Sequence, residues 1–493
     1  MNPFKKLAGQ TVIYGLPTIA GRLLNYLLVP LYTRVFAPAE YGVVTEIYAY
    51  VAFAFVLLTY GMETAFFRFS TTSEFKDKVY STSLLTLLST STFFTLMVFL
   101  TAPSIAFAMG YQQNEEYIKW FALILAADAL SSIPYANLRL INRPIRFAII
   151  KITNIVTNIA LNLLFIVFIP MILDKNPEAS HSYLLRTFYN PSIGVGYIFI
   201  SNLVASLLTL AMLVPDILKV KLIPDLNLLK KMLSYSWPLL IFGFAGVINE
   251  TFDRVILKHL LPGSDAMAQL GIYGACYKVS ILMTLFIQTY RYAAEPFFFA
   301  HSTTKEPQVT YARLMHYFII VCLFIFLMIM LNIDIVILFI GSEFREGAAV
   351  IPILLLANLF LGVFYNLSIW FKLTDRTRSG ALISLTGAAL TIILNVLLIP
   401  VLGYMGAAWA TFVCYAFMMV VSWYFGRIFY PVNYNLKGAG LYTLVTMTIY
   451  ILSFATARLD KFLEIGLNSL MLLSFMLFVY LVEKKKIIHL RSV

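Results

Sequence analysis

The chain has 493 residues, of which 60% are hydrophobic and only 12% are charged. Soluble globular proteins carry about 25% charged residues, so this composition argues against a water-soluble fold. A membrane-spanning helix needs about 20 apolar residues, and the length leaves room for about fourteen spans with their loops. A single-span receptor is therefore excluded. An outer-membrane barrel is excluded too, because its strands alternate in polarity and carry no long apolar runs.

Fourteen apolar stretches of membrane length predict fourteen transmembrane helices and an all-α integral membrane fold. They start near residues 10, 41, 79, 117, 148, 193, 234, 270, 313, 347, 379, 404, 438 and 463. The first stretch follows Lys5 and Lys6, as in a secretory signal, but it contains Arg22 and Asn25 and lacks a small-residue cleavage site. We therefore expect it to stay as an uncleaved first helix.

The distribution of basic residues predicts the orientation in the membrane. With the N-terminus inside, the inner segments carry 23 Lys and Arg residues and the outer segments carry nine. Because cytoplasmic loops are enriched in Lys and Arg, both termini are expected on the cytoplasmic side of the membrane. The formal net charge of +12 then reflects topology, and no nucleic-acid partner is expected.

The polar stretches are too short to form a soluble catalytic domain, since the longest has about twenty residues by inspection of the sequence. The sequence contains no GxxxxGK[ST] phosphate loop, no HExxH motif and no DxD pair, so an ATP-driven pump in one chain is not indicated. The three cysteines lie in apolar runs without CxxC spacing, which predicts neither a disulfide framework nor a metal site. We expect a protein that is not an enzyme and needs no cofactor.

Matched features in the two halves predict an internal duplication, which is common in transporters. Pro17 and Pro238 lie near the starts of helices one and seven, and Gly42 and Gly274 each precede a glutamate, Glu63 or Glu295, by 21 residues. Helices six and twelve both begin with small residues. We predict an N-terminal lobe at 1–215, a cytoplasmic inter-lobe linker at 216–233, a C-terminal lobe at 234–427, and helices thirteen and fourteen with a basic tail at 428–493.

Cationic side chains inside predicted helices are the first candidates for a functional site. A charge at the bilayer centre costs roughly 2.5 to 3.5 kcal/mol, so such residues usually face a cavity or a partner. Arg22, Lys278 and Arg291 are expected to contact an anionic substrate, since a guanidinium donates paired hydrogen bonds to phosphate oxygens. The structural alternatives are an Arg22–Asp128 pair and an Arg291–Glu295 pair at helical i, i+4 spacing.

Carboxylates in or near the spans are candidates for ion coupling or gating. They are Glu46, Glu63, Asp128, Glu250, Asp253 and Glu295. The repeat places Glu46 opposite Lys278, so a pair closing the outer face is an alternative to substrate contact for Lys278. For the end of helix seven the alternative is a solvated Glu250–Arg254 pair.

The two matched prolines are candidates for a helix break that serves gating. Pro17 and Pro238 each remove a backbone donor and are expected to bend their helices. Broken helices at matched positions often mark the transport path of a transporter. The alternative is an ordinary kink that the helix tolerates.

Several segments resemble the bacterial polysaccharide transporter family. They are Gly-Leu-Pro-Thr-Ile-Ala-Gly-Arg-Leu-Leu-Asn (15–25), Tyr-Thr-Arg-Val-Phe-Ala-Pro-Ala-Glu-Tyr-Gly (32–42), Tyr-Gly-Met-Glu-Thr-Ala-Phe-Phe-Arg (60–68) and Leu-Gly-Tyr-Met-Gly-Ala-Ala-Trp-Ala-Thr (402–411). That family shares a superfamily of two-lobed exporters with multidrug and toxin extrusion proteins and lipid II flippases. The resemblance covers the whole chain.

The resemblance implies a flippase for an undecaprenyl-diphosphate-linked oligosaccharide, acting in O-antigen or exopolysaccharide synthesis. It implies alternating access driven by a proton or sodium gradient or the membrane potential, with a polysaccharide polymerase and glycosyltransferases as partners. Relatives carry cationic residues in a central cavity, and Arg22 and Arg291 best match that role. The lipid II branch has several arginines in its first two helices, whereas this chain has Arg22 in the body of helix one and Arg68 at an inner end.

Three further classes are alternatives. A multidrug or small-cation antiporter of the same fold would have a cavity dominated by carboxylates. A membrane glycan polymerase or ligase would need a larger outer loop than the roughly twenty residues present here. A structural scaffold would not need intramembrane charges at matched positions.

Overall fold

The structure is a computed structural model that describes residues 21, 23–24, 26–70, 78–175, 185–187, 189–218, 223–261, 263, 265–302, 306–456 and 459–491. Their regular secondary structure is helical, and no strand occurs among these residues. The chain divides into two compact units, Met1–Lys258 and His259–Val493, called here the N-terminal and C-terminal units.

The N-terminal unit contains nine described helices, the last of which runs two residues beyond its boundary. They are α1 (Val29–Val35), α2 (Pro38–Thr59), α3 (Met62–Ser70), α4 (Val79–Met109), α5 (Glu115–Leu140), α6 (Pro144–Leu163), α7 (Ile169–Lys175), α8 (Gly196–Ile217) and α9 (Leu226–Leu260). A π-helical turn at Leu164–Phe168 joins α6 to α7. The predicted linker 216–233 thus contains the end of α8 and the first two turns of α9, and the predicted lobe boundaries remain predictions.

The C-terminal unit contains nine more described helices. They are α10 (Ala266–His301), α11 (Pro307–Met330), α12 (Ile333–Val336), α13 (Val350–Leu367), α14 (Ile369–Leu373), α15 (Thr377–Leu402), α16 (Tyr404–Phe429), α17 (Leu436–Thr456) and α18 (Lys461–Arg491). Short 3₁₀ turns at Ile337–Phe339 and Ser342–Ala349 lead from α12 into α13.

Thirteen of the helical stretches in the described residues are long and apolar enough to cross a membrane. Large apolar side chains such as Leu100 and Phe107 are exposed on them, as expected for helices that face lipid. The thirteen stretches begin within eight residues of the predicted helices two to fourteen. The all-α, multi-pass membrane fold is confirmed, and the start of the first predicted helix lies outside the described residues.

Local chemistry explains several helix ends. Proline occupies the first turn of α2, α6 and α11, where its missing N–H removes no helical hydrogen bond. At the start of α2 the Glu40 carboxylate accepts a hydrogen bond from the Ala37 backbone N–H at 2.9 Å. Gly110 ends α4 with a φ of 77°, a left-handed conformation that glycine adopts without strain.

The break between α2 and α3 positions the carboxylate of Glu63. Tyr60 and Gly61 both have positive φ, so the chain turns before α3 begins. Met62 and Phe66 on α3 are buried against α4 and α5 in an apolar cluster that includes Leu87. This packing holds Glu63 close to the end of α5.

Pro238 does not break its helix. The helix α9 runs from Leu226 to Leu260 and continues through Pro238. The expected helix break is therefore wrong at this position, because neighbouring turns in a long membrane helix can compensate for one missing donor. Pro17 lies outside the described residues, and a gating role for either proline remains a prediction.

Candidate functional site

A small cleft lies within the C-terminal unit, between α10, α13 and α14. It has about 330 Å³ of space, part of which is open solvent, and apolar side chains line it together with Arg291, Glu295, Tyr365, Asn366 and Lys372. The cleft is found near the ends of two apolar spans, Ala266–Arg291 and Ser342–Leu373. Such a location gives polar side chains access to water beside an apolar bundle.

The charges of the cleft belong to two cations that share one carboxylate. Lys372 Nζ donates a hydrogen bond to Glu295 Oε1. Arg291 Nε lies 3.7 Å from Glu295 Oε2, as the i, i+4 spacing in α10 predicts. The side chains of Arg291, Glu295 and Lys372 are 46%, 37% and 25% exposed, so all three can meet a ligand from water.

Aromatic and amide groups fix the walls of this cleft. The Cζ atom of Arg291 lies 4.3 Å from the centroid of the Tyr365 ring, a cation–π contact. Tyr290 donates a hydrogen bond of 2.7 Å to the Asn366 amide oxygen. A guanidinium has five N–H donors, so one that contacts an aromatic ring can still donate hydrogen bonds to phosphate oxygens.

Lys278, the other predicted cation of α10, is half-buried and is not among the residues that line this cleft. It lies thirteen residues before Arg291, so about 20 Å of helix separates the two. Arg22 lies outside the described residues. That Arg22, Lys278 and Arg291 together contact one anionic substrate therefore remains a prediction.

Lys372 was not selected from the sequence. It follows Glu295 by 77 residues and lies in a short helix at the end of a span, where lysine usually only indicates topology. The repeat did hold a signal, because Arg139 and Lys372 are offset by nearly the same interval as Glu63 and Glu295.

In the N-terminal unit, Glu46 is fully buried and forms an ion pair with Lys258 at 3.1 Å. Tyr111 donates a hydrogen bond to the same carboxylate. The sequence analysis paired Glu46 with Lys278 as an alternative, but the cation that the structure places against it is Lys258. The contact joins α2, α9 and the turn after α4, with the Glu46 side chain fully buried and that of Lys258 18% exposed.

Two further predicted carboxylates of the N-terminal unit, Glu63 and Asp128, have polar partners and are partly exposed. Arg139 Nη2 donates a hydrogen bond to Glu63 Oε1. Asp128 accepts a hydrogen bond from Ser206, and Lys151 is an attracting charge nearby. The Arg22–Asp128 pair that the sequence suggested cannot be described, since Arg22 is outside the described residues.

The polar residues near the end of α9 have different surroundings, although the sequence suggested a solvated Glu250–Arg254 pair there. Asp253 is buried, and its Oδ1 accepts a hydrogen bond of 2.9 Å from the Arg254 backbone N–H. Arg254 Nη1 donates to the main-chain carbonyl of Glu250 at 3.1 Å, while the Glu250 side chain is exposed. No group of three or more metal-ligating side chains occurs in the part of the chain that the structure describes.

The sequence profile of a family described as polysaccharide biosynthesis protein matches residues 7–302. The chain belongs to this family. The match covers more than half of the chain and includes α10 with Arg291 and Glu295. The resemblance seen in the sequence motifs is thereby confirmed. No curated protein sequence matches the chain.

Solved structures with the same fold are transporters and flippases. The lipid II flippase MurJ in an inward closed conformation has a TM-score of 0.67 at 14% identity, covering 95% of this chain and 99% of MurJ. An inward-facing multidrug resistance MATE family transporter of the MOP superfamily has a TM-score of 0.65 at 14% identity, covering 85% and 94%. An outward-facing transporter of that family has a TM-score of 0.61 with the same identity and coverage. At such identities the likeness establishes the fold alone.

Proposed function

We propose that this member of the polysaccharide biosynthesis family is a flippase. Its substrate is an undecaprenyl-diphosphate-linked oligosaccharide, which moves from the inner to the outer leaflet of the cytoplasmic membrane for surface polysaccharide assembly. The family match and the exporter-type fold support this proposal. A membrane protein with short polar loops can move a lipid-linked glycan without a soluble catalytic domain.

One observation carries the proposal: Arg291 lies half-exposed on the small cleft beside a second cation, Lys372. A diphosphate head group is the part of the substrate that cannot cross an apolar layer unaided, so its charge must be compensated during transfer. Paired cations at the end of a span are suited to this task, because Arg–phosphate hydrogen bonds are charge-assisted and directional.

The transport step proposed here is alternating access driven by an ion gradient or the membrane potential. One charge moving through 100 mV releases roughly 2.3 kcal/mol, which is enough to bias a conformational equilibrium. The buried acidic groups Glu46 and Asp253 and the Asp128 carboxylate beside Lys151 are the coupling candidates in the N-terminal unit. Proton or sodium coupling through any of them is part of the proposal.

The test replaces Arg291 in cells that depend on this chain for surface glycan. The readout is the fraction of lipid-linked oligosaccharide that impermeant periodate can oxidise in intact spheroplasts. We expect Arg291→Ala to lower this fraction at least about tenfold and Arg291→Lys to retain part of it, because lysine keeps the charge but not the paired donors.

The control is Lys461→Ala, which removes an exposed cation that pairs with exposed Asp334 in the same unit. It should leave export unchanged. Wild-type export by Arg291→Ala at normal protein abundance would overturn the proposal. The proposal would also be overturned if deletion of the gene altered drug resistance and left the outer-leaflet glycan unchanged, since that outcome identifies an antiporter.

A further inference from the structure

Among the described residues, each unit has a glutamate–cation pair at a corresponding position. Glu63 pairs with Arg139, 76 residues later, and Glu295 pairs with Lys372, 77 residues later. Each glutamate follows a repeat glycine by 21 residues. A duplicated bundle would produce this correspondence, so the pair itself is explained as a structural feature common to both units.

The two pairs differ in the residue four positions before the glutamate. In the C-terminal unit this residue is Arg291, whose guanidinium lies over the Tyr365 ring. In the N-terminal unit it is Thr59, the last residue of α2, whose hydroxyl donates a hydrogen bond of 2.7 Å to the Phe55 carbonyl. At this position the C-terminal unit therefore has a cation, where the N-terminal unit has a neutral residue.

This cation changes the electrostatics of the cleft. In the N-terminal unit Lys151 interacts with Glu63, Arg139 and Asp128, so two cations stand against two carboxylates. Arg291 and Lys372, in contrast, share the carboxylate of Glu295. The 3.7 Å between Arg291 Nε and Glu295 Oε2 is too long for a hydrogen bond. The guanidinium thus keeps donors for a stronger acceptor, and a half-exposed ion pair is weak enough to exchange.

We propose that Lys372 is a second phosphate-binding residue and that Glu295 is a resident anion which the phosphate of the substrate displaces. This inference rests on the proposed function: it gives Lys372 a direct phosphate contact and adds Glu295 to the site. A ligand with at least two negative charges compensates the charges of both Arg291 and Lys372. The single carboxylate of Glu295 compensates only one of them. After transfer, the return of Glu295 to Lys372 and Arg291 favours release of the head group.

Inorganic pyrophosphate is the probe, titrated calorimetrically into the purified full-length chain in detergent. We expect Lys372→Met to weaken its affinity about tenfold and Lys372→Arg to retain it, because the charge-assisted contact is lost only in the first. Glu295→Gln should strengthen the affinity about fivefold, because the competing charge is gone while the side-chain volume is kept.

The matched controls are Glu63→Gln and Arg139→Met, which break the corresponding pair beside Lys151 and Asp128. If both ion pairs are purely structural, the variants at Glu295 and Lys372 should lower the melting temperature as much as the control variants do. The two sets of variants should then also have the same effect on pyrophosphate affinity. The inference is overturned if Glu295→Gln leaves affinity unchanged or weakens it, or if the control pair changes affinity as much as Glu295 and Lys372 do.

The outcome can be separated from that of the proposed function. Normal glycan export by Arg291→Ala, together with the expected pyrophosphate affinities, would refute the flippase proposal and leave the anion site standing. If Arg291→Ala abolishes export but substitutions of Glu295 and Lys372 do not change the pyrophosphate affinity, this inference is refuted and the flippase proposal stands.

Discussion

Lys258 Nζ lies 3.1 and 3.2 Å from the two carboxylate oxygens of Glu46, although 212 residues separate them in the chain. The same ammonium donates to the Met109 carbonyl at 2.5 Å and lies 4.7 Å from the centroid of the Tyr111 ring. Glu46 is 0% exposed and Lys258 is 18% exposed. The contact ties the end of α9 to α2 and to the turn after α4.

We expect removal of either partner to destabilise the fold strongly. Glu46→Gln or Lys258→Met leaves one buried charge without its counter-ion, and such losses lower the free energy of unfolding by about 3–5 kcal/mol. The double variant should lose less than the sum of the two single variants, since no uncompensated charge remains. Reversible unfolding in mixed micelles, arranged as a double-mutant cycle, measures this coupling.

The partly exposed pair of Glu115 and Lys119 at the start of α5 is the control. Exposed i, i+4 pairs contribute about 0.3–0.5 kcal/mol, so Glu115→Gln and Lys119→Met should have small effects. A coupling energy between Glu46 and Lys258 that is no larger than that of the control would show that the buried contact contributes nothing specific.

A pH dependence is expected at Tyr111, which lies in the turn between α4 and α5. Burial raises the pKa of its phenol well above the usual value of about 10, and the negative charge of Glu46 and the hydrogen bond to it raise the pKa further. A group whose pKa is higher in the folded state than in the unfolded state stabilises the fold. This stabilisation is complete below the unfolded-state pKa and is lost as the pH rises through the folded-state pKa. The stabilisation by Tyr111 should therefore be constant from about pH 6 to 9 and decrease only above about pH 10.

The variant Tyr111→Phe tests this expectation, because it removes the donor and keeps the ring. We expect it to lower the free energy of unfolding by about 1–3 kcal/mol at neutral pH, since the Glu46 carboxylate loses a buried hydrogen bond. Unfolding at several pH values gives the difference from wild type. A difference that already shrinks between pH 6 and 9 would contradict the assignment.

Gly406, in the small-residue segment at the start of α16, is a site of close packing. The Cβ of an alanine there would lie 2.4 Å from the Leu398 carbonyl oxygen, a backbone atom that cannot rotate away. We expect Gly406→Ala to destabilise the chain by about 1–3 kcal/mol. Thermal unfolding in detergent measures the effect.

Gly440 in α17 provides the comparison, because a Cβ added there meets no atom within 4 Å. Gly440→Ala should be neutral or stabilising by about 0.5–1 kcal/mol, the usual gain of alanine over glycine within a helix. Equal effects at the two glycines would mean that helix propensity, and not the contact with Leu398, decides the outcome.

Much of the candidate site in the C-terminal unit could be predicted from local spacing. Arg291 and Glu295 are four residues apart in one helix, so their proximity follows from helical geometry alone. The alternative that they form a local pair is confirmed, and the cleft shows that the same arginine is also accessible to a ligand. These two interpretations are compatible because the pair is half-exposed.

The partners Lys258 and Lys372 required the tertiary structure. Each lysine counts in the sequence as one more basic residue near the end of a span, and nothing local connects it to a glutamate on another helix. The pair of Glu63 and Arg139 has nearly the same spacing, so the predicted repeat contained a signal, but composition and spacing do not indicate which helix faces meet.

The sequence by itself determined the class of the molecule, because a bilayer requires apolar helices of a minimum length and these are visible as runs of residues. It also determined the family, through motifs that are local in the chain. Only the tertiary structure decided which charges compensate each other, since an ion pair depends on the packing of helices that are distant in sequence. That packing selected Lys258 for Glu46 and brought Lys372 to Glu295 beside Arg291.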